Sequence, residues 1–511
     1  MKIHWLAIVL LFPMPGSASP GVVATLREAE RKLVQTVSLP VPAGAKVRSI
    51  LYGNSRYGYF ETDRIIVRGQ SVSFEMVPPG YRFPIETWLR GERLTKGRTL
   101  RPVSPFPDGY DRVGELKGRE FSSPFTLLVG KIRNGVQVPR EPRRFRKLFV
   151  YAVNRFGEPV WLYLPKKDFD SIELGLLAKT SGPGRYHILR YASSPRTAVY
   201  ENVNSRGELL ESSSFNGVTF HHDFQVIPNE RLLVFTQTFR SFRRPWDFLG
   251  PKFSFLGSEL SLLDRRTGSV SRVWDPLSEL NPFRDPHWNR SVSYSNDAHP
   301  LNPDRSDWWD IHHANSLESV EGKGFLVSLR NQSRVLLLDP TLGKVIWSVG
   351  PGPDNTFRTD GTDAEFRMQH HVTLLPNGNL QLFDIGGLGG SQILEVALDR
   401  SLGRARLVKR YVPDPPVWAV SRGSAFPLPN GNVLGLFYSG VEDPRFSEVI
   451  EFDGRTAKEV ARLTIPFEIT YAQRAEPLSS IGNERYLGKE RPLDSASLAI
   501  PPLAGESVNR Q

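Results

Sequence analysis

Residues Phe366–Asp384 read FRMQHHVTLLPNGNLQLFD. A polar start leads into an apolar run, Asn377 and Gly378 sit at the centre of a turn, and a second apolar run follows. Asn-Gly between two such runs is the strongest short hairpin signal. The same unit recurs as HHDFQVIPNERLLVF from His221, HHANSLESVEGKGFLVSL from His312 and RGSAFPLPNGNVLGLFY from Arg422. A second kind of hairpin alternates with it, two β-rich runs around a turn with Asp or Asn and often Gly. Its six copies are LFVYAVNRFGEPVW from Leu148, TAVYENVNSRGELL from Thr197, ELSLLDRRTGSVSRVW from Glu259, RVLLLDPTLGKVIW from Arg334, ILEVALDRSLGRARLV from Ile393 and EVIEFDGRTAKEVARL from Glu448.

Alternation of the two units gives about four strands per repeat at roughly 50–75 residue spacing, the pattern of a propeller array. Six copies of the second hairpin predict six blades. A pair of β-sandwiches would not explain why the units keep alternating. The expected fold class is all-β: a six-bladed β-propeller preceded by a smaller, mainly β N-terminal domain. Within that N-terminal part, VSLPVPAGAKVRSILYG and DRIIVRGQSVSFEMV are strand candidates and Ala24–Val34 is one short helix candidate. The division expected is 1–19 signal peptide, 20–124 N-terminal β-rich domain and 125–511 propeller.

The signal-peptide reading comes from Lys2, the apolar run Trp5–Phe12, Pro13 and the small residues Gly16–Ser19: a basic start, a short apolar core and a cleavage-type site. An uncleaved membrane anchor is the alternative for that segment. The run is too short to span a bilayer and nothing else in the sequence approaches the required length, so no integral membrane span is expected. The expected location is exported, periplasmic.

Of 511 residues none is cysteine, which excludes disulfides and thiolate chemistry. Gly 43 and Pro 41 suit many short strands joined by turns. The formal net charge of +11 favours anionic partners. Its densest cluster, REPRRFRK (140–147), reads as a solvated junction, and no basic face interleaved with aromatics is present, so nucleic acid is not an expected partner. A homo-oligomer is left open, since the sequence does not set the oligomeric state.

Ten histidines include three doublets, His221-His222, His312-His313 and His370-His371, each at the polar start of a repeat unit. If each polar start opens an inner strand, His222, His313, His370 and Arg422 converge on one mouth from different blades. Because neighbours on a strand alternate faces, one member of each doublet should face the channel and the other pack behind it. His221, His312 and His371 are then supporting residues. For any single doublet the alternative is a satisfied polar pair tying a turn, a reading that leaves the shared position of all three unexplained. A metal site with Asp223, Asp310 or Asp384 is a further alternative, although no HxH or HExxH spacing occurs.

At these residues the chain resembles the bacterial arylsulfate sulfotransferase family. The resemblance is carried by QHH with LPNGN and LFD downstream, by DWWDIHHANSLE followed by SLRNQS, and by GKVIWSVG with an acidic loop before Phe366. HHDFQVIPN and SRGSAFPLPNGN fit the same pattern. It implies an exported six-bladed propeller with an N-terminal β domain. It also implies an enzyme that moves a sulfuryl group from an aryl sulfate ester to a phenolic acceptor, through a sulfated histidine and without a nucleotide cofactor; the residue chemistry requires no metal. The motif match makes His370 the nucleophile, with His313, Arg330 and His222 the other catalytic residues. Two departures stand out: His371 follows QH where family members commonly have Asp or Thr, and cysteines found in some members are absent.

The residue chemistry agrees with this. Sulfuryl transfer, like phosphoryl transfer, needs an in-line nucleophile and fixed donors for charged equatorial oxygens. Neutral imidazole is such a nucleophile, Arg330 offers a fork of donors, and His222 and His313 can add donors or exchange a proton with the phenol oxygen. Asn315, Trp308, Trp309 and Arg422 are the substrate-binding candidates. Trp308, Trp309, Trp418 and Tyr438 can stack on a phenyl ring or serve as core. FRSFRRPWDF (239–248) is a candidate rim for anionic esters or a solvated loop. The competing class is a non-catalytic propeller that binds an anionic or aromatic ligand or a partner protein.

Overall fold

The computed structural model describes residues 28–91, 94–106, 113–133, 146–165, 173–182, 184–193, 196–243, 249, 252–279, 292–294, 308–386, 390–419, 421–439, 446–466 and 474–492. The expected signal peptide and most of the basic cluster at 140–147 lie outside these residues. So does the 244–248 part of the arginine-aromatic stretch. Among the described residues the chain is nearly all β, as expected. Helix is confined to 28–32, inside the expected Ala24–Val34 segment, and to Pro276–Glu279. None of these helices is long and apolar enough to cross a membrane.

Six four-stranded antiparallel units follow one another along the chain. The second runs Glu173–Thr180, Arg185–Ser193, Arg196–Asn204, Leu209–Asn216, and the third opens on Phe220–Ile227 and ends on Val270–Trp274. The fourth opens on Ala314–Val320, the fifth on His370–Leu374 and the sixth on Ser424–Pro427. The first comprises Phe125–Arg133, Arg146–Asn154 and Pro159–Tyr163, completed by the late strand Glu476–Leu478. Each of the six quoted hairpins forms the last two strands of its unit that are consecutive in sequence. Each polar-start unit forms the first two strands of units three to six. A two-residue strand, Phe357–Arg358, bridges units four and five into one nine-stranded sheet. In the PNGN turn only Gly378 is left-handed (φ 86°), and its N–H donates to Leu375 O at 2.9 Å.

Period-2 alternation leaves both faces of these sheets apolar, and consecutive units pack face to face. Leu189, Tyr200 and Phe215 of unit two meet Phe224, Leu232 and Val234 of unit three. Leu233 and Phe235 meet Leu317 and Leu336 of unit four, Leu337 and Val349 meet Leu382 and Leu394 of unit five, and Phe383 and Ile393 meet Phe437 and Ile450 of unit six. Unit six returns to unit one, with Leu436 and Leu463 in the same cluster as Leu127 and Val150. Each interface removes several large side chains from water, at about 1.5–3 kcal/mol per fully buried residue.

Strand exchange closes the chain as well. Glu115–Gly118 pairs with the last strand of unit six while Glu476–Leu478 pairs with the first of unit one. The remaining N-terminal strands form a three-stranded sheet around Ser71–Met76 and a five-stranded sheet around Ser49–Asn54. The latter takes Arg485–Gly488 from the far end of the chain as an edge strand. Strand pairing thus crosses residue 124/125 in both directions.

Candidate functional site

The first strands of units one to five border one cavity, whose walls include Leu128, Lys179, Asp223, Asn315 and His370, with Gly423 from just before unit six and Glu476 from the late strand. Neighbouring strand starts are stitched together there. Leu317 N–H donates to Asp223 Oδ2 (2.8 Å), Val372 N–H to Ser316 Oγ (3.1 Å), Ala425 N–H to His371 Nδ1 (3.3 Å) and Ala475 N–H to Ser424 Oγ (3.1 Å). Fixed strand starts hold the side chains that follow from them.

These starts are not regular strand. His222 (φ 60°), His313 (φ 44°), His371 (φ 39°) and Arg422 (φ 68°) all adopt the left-handed backbone. That costs a non-glycine residue about 1–3 kcal/mol and collects at functional sites. The ladders slip register at the same places, between Phe220 and Phe224, Ala314 and Ser316, and His370 and Val372. At His370-His371 this corrects the expectation that one histidine faces inward and the other packs behind, because a slipped, left-handed residue breaks the alternation of faces. The His221 and His222 rings are hydrogen-bonded to each other, Nδ1 to Nδ1 at 2.9 Å, and His371 lines the cavity together with His370. In the first doublet His222 borders the cavity and the buried His221 does not, as expected. His312 is fully buried, and neither of its ring nitrogens has a hydrogen-bond partner among the described residues.

Three of the expected catalytic histidines do converge. His222 and His313 meet Nε2 to Nε2 at 3.1 Å, and the His222 ring centroid is 6.2 Å from that of His370. His313 is also bonded through Nδ1 to Asp310 Oδ2, and its backbone N–H donates to Asp310 Oδ1 at 3.1 Å. Arg330 follows the neighbouring strand Gly324–Leu329, its N–H reaches His313 O at 3.4 Å, and its guanidinium charge acts on both His222 and His370. Arg422 lies over the Tyr438 ring, 4.7 Å from its centroid, and its charge also reaches His370. Asn315 donates to Gln369 O at 2.8 Å and so ties the His313 strand start to the residue before His370.

The two tryptophans take another place. Trp309 packs on Phe253 and Phe255 (5.4 and 5.9 Å between centroids), and Trp308 meets Phe239 edge-on at 5.5 Å. The strand they share, Trp308–Asp310, runs parallel to Ser254–Leu256 beside unit three, which turns both rings into an aromatic stack there. Neither ring borders the central cavity. Trp418 is 53% exposed, while Tyr438 is buried beneath Arg422.

Two residues carry roles that the motifs did not assign. Gln369 is fully buried, and its amide donates to Ser328 Oγ (3.0 Å), Leu329 O (3.3 Å) and Arg334 O (2.9 Å), anchoring the strand start that bears His370. His371 uses Nδ1 to hold unit six and lies on Phe426, with centroids 4.2 Å apart. The departure from the family pattern at this position thus fills a stitching role that Ser316 and Ser424 fill on neighbouring strands.

Electrostatics keep these imidazoles neutral. Burial, then the charges of Arg330, His313 and Arg422, hold His370 well below the ordinary histidine range. Burial, then His313, His221, His370 and Arg330, does the same for His222. Burial and Arg474 lower His371. Burial alone would raise Asp310, but the charge and hydrogen bond of His313 outweigh it, and the carboxyl is held below its ordinary value. A neutral imidazole with its lone pair free is a competent nucleophile at neutral pH.

The same shifts govern stability. Burial takes His187 down to about 4 and His312 down to about 3. Folded-state values below the unfolded value near 6.5 mean that the unfolded chain gains protons first as pH falls, so stability is lost below pH 6.5. At pH 5 each of these two groups costs on the order of 2 kcal/mol. His222, His370 and His371 act in the same direction. The urea midpoint is expected to fall clearly between pH 7 and pH 5; equal midpoints would contradict the buried-neutral assignment.

Among the described residues no group of three His, Cys, Asp or Glu side chains is arranged to hold a metal ion. His222 and His313 bond directly to each other instead.

Similar structures include a protein of unknown function from Bacteroides caccae, at 15% identity and TM-score 0.35, covering 67% of this chain and 97% of that one. An ACO/RPE65 chimera is 12% identical at TM-score 0.31, covering 89% of this chain and 98% of that chain. Hydrazine synthase of Kuenenia stuttgartiensis is 12% identical at TM-score 0.27, covering 71% and 92%. No curated protein matches the chain. The family model described as arylsulfotransferase (ASST) matches residues 181–459, more than half of the sequence and the span that carries His222, His313, Arg330, His370 and Arg422. The chain belongs to the arylsulfotransferase family.

Proposed function

We propose that the protein transfers a sulfuryl group from an aryl sulfate ester to a phenolic acceptor by a ping-pong cycle, without a nucleotide cofactor, and that His370 carries the group between the two. The observation that carries this reading is the convergence of His370, His222 and His313 from three different strand starts, under the positive charge of Arg330 and Arg422. On this reading the six units are the blades of a propeller and the cavity is its axis. The region at 20–124 is its N-terminal β domain, and the N-terminal segment directs export to the periplasm.

In the first half-reaction the neutral His370 imidazole attacks sulfur as the S–O bond to the aryl group breaks. In the second the acceptor oxygen attacks the same sulfur and frees His370. Charge on the sulfuryl oxygens falls to Arg330, a fixed donor of the kind that lowers such barriers most. Asn315 holds the nucleophile's strand start, and Arg422 adds positive charge at the mouth.

Purified protein mixed with 4-nitrophenyl sulfate, with and without phenol, tests the reading. Phenol-dependent release of 4-nitrophenol with formation of phenyl sulfate is expected. Release at the same rate without phenol would mean hydrolysis, and no release would mean a binding module; either overturns the transfer reading.

A further inference from the structure

We propose that Asp310 is the positioning residue that makes His313 the proton donor and acceptor for the phenolic oxygen, by fixing one end of a hydrogen-bonded chain that runs Asp310–His313–His222–His221. The proposal rests on the sulfuryl-transfer reading above and deepens it. Asp310 closes the strand Trp308–Asp310, is buried, and takes hold of His313 twice, from the backbone N–H at 3.1 Å and from ring Nδ1. Its own backbone carbonyl accepts from Asn331 Nδ2 at 2.6 Å, which ties the Asp310 backbone to the loop that also carries Arg330.

An ionised carboxylate only accepts, so the shared proton sits on His313 Nδ1. In neutral His313 the Nε2 lone pair is then free, and His222 Nε2, 3.1 Å away, is the donor to it. That leaves His222 Nδ1 as the acceptor for His221 Nδ1, 2.9 Å away. One carboxylate thereby sets three tautomers. The assignment gives His313 the Nε2 lone pair that a phenolic proton takes up, in place of the His222 N–H that fills it in this structure. His313 keeps 27% of its side chain exposed and is open to a substrate oxygen. The titratable and charged groups around it are Asp310 on its own loop, His222 and His221 from unit three, His370 from unit five and Arg330 beyond it. Asp310 is the anion among them that stabilises the imidazolium.

The proton accounts close over the cycle. As the bond from His370 nitrogen to sulfur forms and the S–O(aryl) bond breaks, the leaving oxygen takes the Nε2 proton of protonated His313. In the second half-reaction the acceptor phenol returns a proton to His313 Nε2 as its oxygen bonds to sulfur and the N–S bond breaks. In both states Nδ1–H stays on Asp310. Asp310→Asn keeps an oxygen for the backbone N–H but presents an amide N–H to Nδ1. That forces the neutral tautomer with the proton on Nε2 and removes the counter-charge of the imidazolium.

The test is single-turnover phenol release, without acceptor, from a series of aryl sulfates whose phenols differ in acidity. A good leaving group needs little protonation and a poor one needs much. For Asp310→Asn the loss is expected to be a few-fold with 4-nitrophenyl sulfate and to grow to about 10²-fold with unsubstituted phenyl sulfate, the scale of general acid catalysis. Asp310→Glu should lie between wild type and Asp310→Asn and stands in for it if that variant does not fold. His313→Gln should show the same steep dependence, and the double variant Asp310→Asn/His313→Gln should be no slower than His313→Gln alone. A loss of equal size across the series, or a further loss in the double variant, overturns the proposal. Failure of the underlying reading looks different, since wild-type protein would then release no phenol from any member of the series.

Discussion

His370→Ala is expected to lower phenol-dependent sulfuryl transfer by at least about 10³-fold while leaving the fold intact, the scale seen when a covalent nucleophile is removed. The side chain lies at the cavity rather than inside an apolar cluster, and the strand start is held independently by Gln369 and by the Ser316 bond to Val372 N–H. Truncation therefore removes the nucleophile without loosening the strand. The lost imidazole is neutral in the folded protein, so no buried charge is left unpaired. The same assay of donor release, run beside the urea midpoint, separates loss of chemistry from loss of structure. Retention of more than a tenth of the activity would remove His370 from the reaction.

Arg330→Ala is expected to reduce kcat by about 10²–10³-fold, the range for losing one fixed donor to transition-state charge. It carries a second signature. Arg330 is the largest charge effect holding His370 below its ordinary value. A neighbouring positive charge disfavours the imidazolium, so removing it lets His370 take up a proton at a higher pH. Since protonated imidazole is no nucleophile, the acid limb of the kcat/KM profile should move to higher pH in Arg330→Ala. An unchanged or lowered acid limb would contradict the placement of Arg330 beside the nucleophile.

The hairpins were legible because turn chemistry and period-2 patterning are local. All six copies of the second hairpin and all four polar-start units are strand pairs in the structure. The edge strands of units one and two at this end of the sheets, Glu476–Leu478 and Glu173–Thr180, carry no polar start of the repeated kind, and nothing local marks them. The exchange of Glu115–Gly118 and Glu476–Leu478 between the chain's ends is a long-range pairing that no short motif encodes.

At the site, His222, His313 and His370 were legible from the doublets. Their relative orientation was not, because it depends on left-handed residues and register slips that the alternation rule does not contain. Trp308 and Trp309 were misplaced for a related reason. Sequence adjacency to His312 says nothing of the parallel strand that turns both rings onto Phe239, Phe253 and Phe255. That same strand brings Asp310 under His313, which only the structure reveals.

The covalent intermediate is the most direct test. Wild-type protein incubated with 4-nitrophenyl sulfate without acceptor should gain the mass of one SO3 group. Fragmentation should place the group on His370, phenol should discharge it, and His370→Ala should gain nothing. Transfer at full rate without any labelled protein, or a label on another residue that phenol discharges, would contradict the assignment of His370 as the carrier.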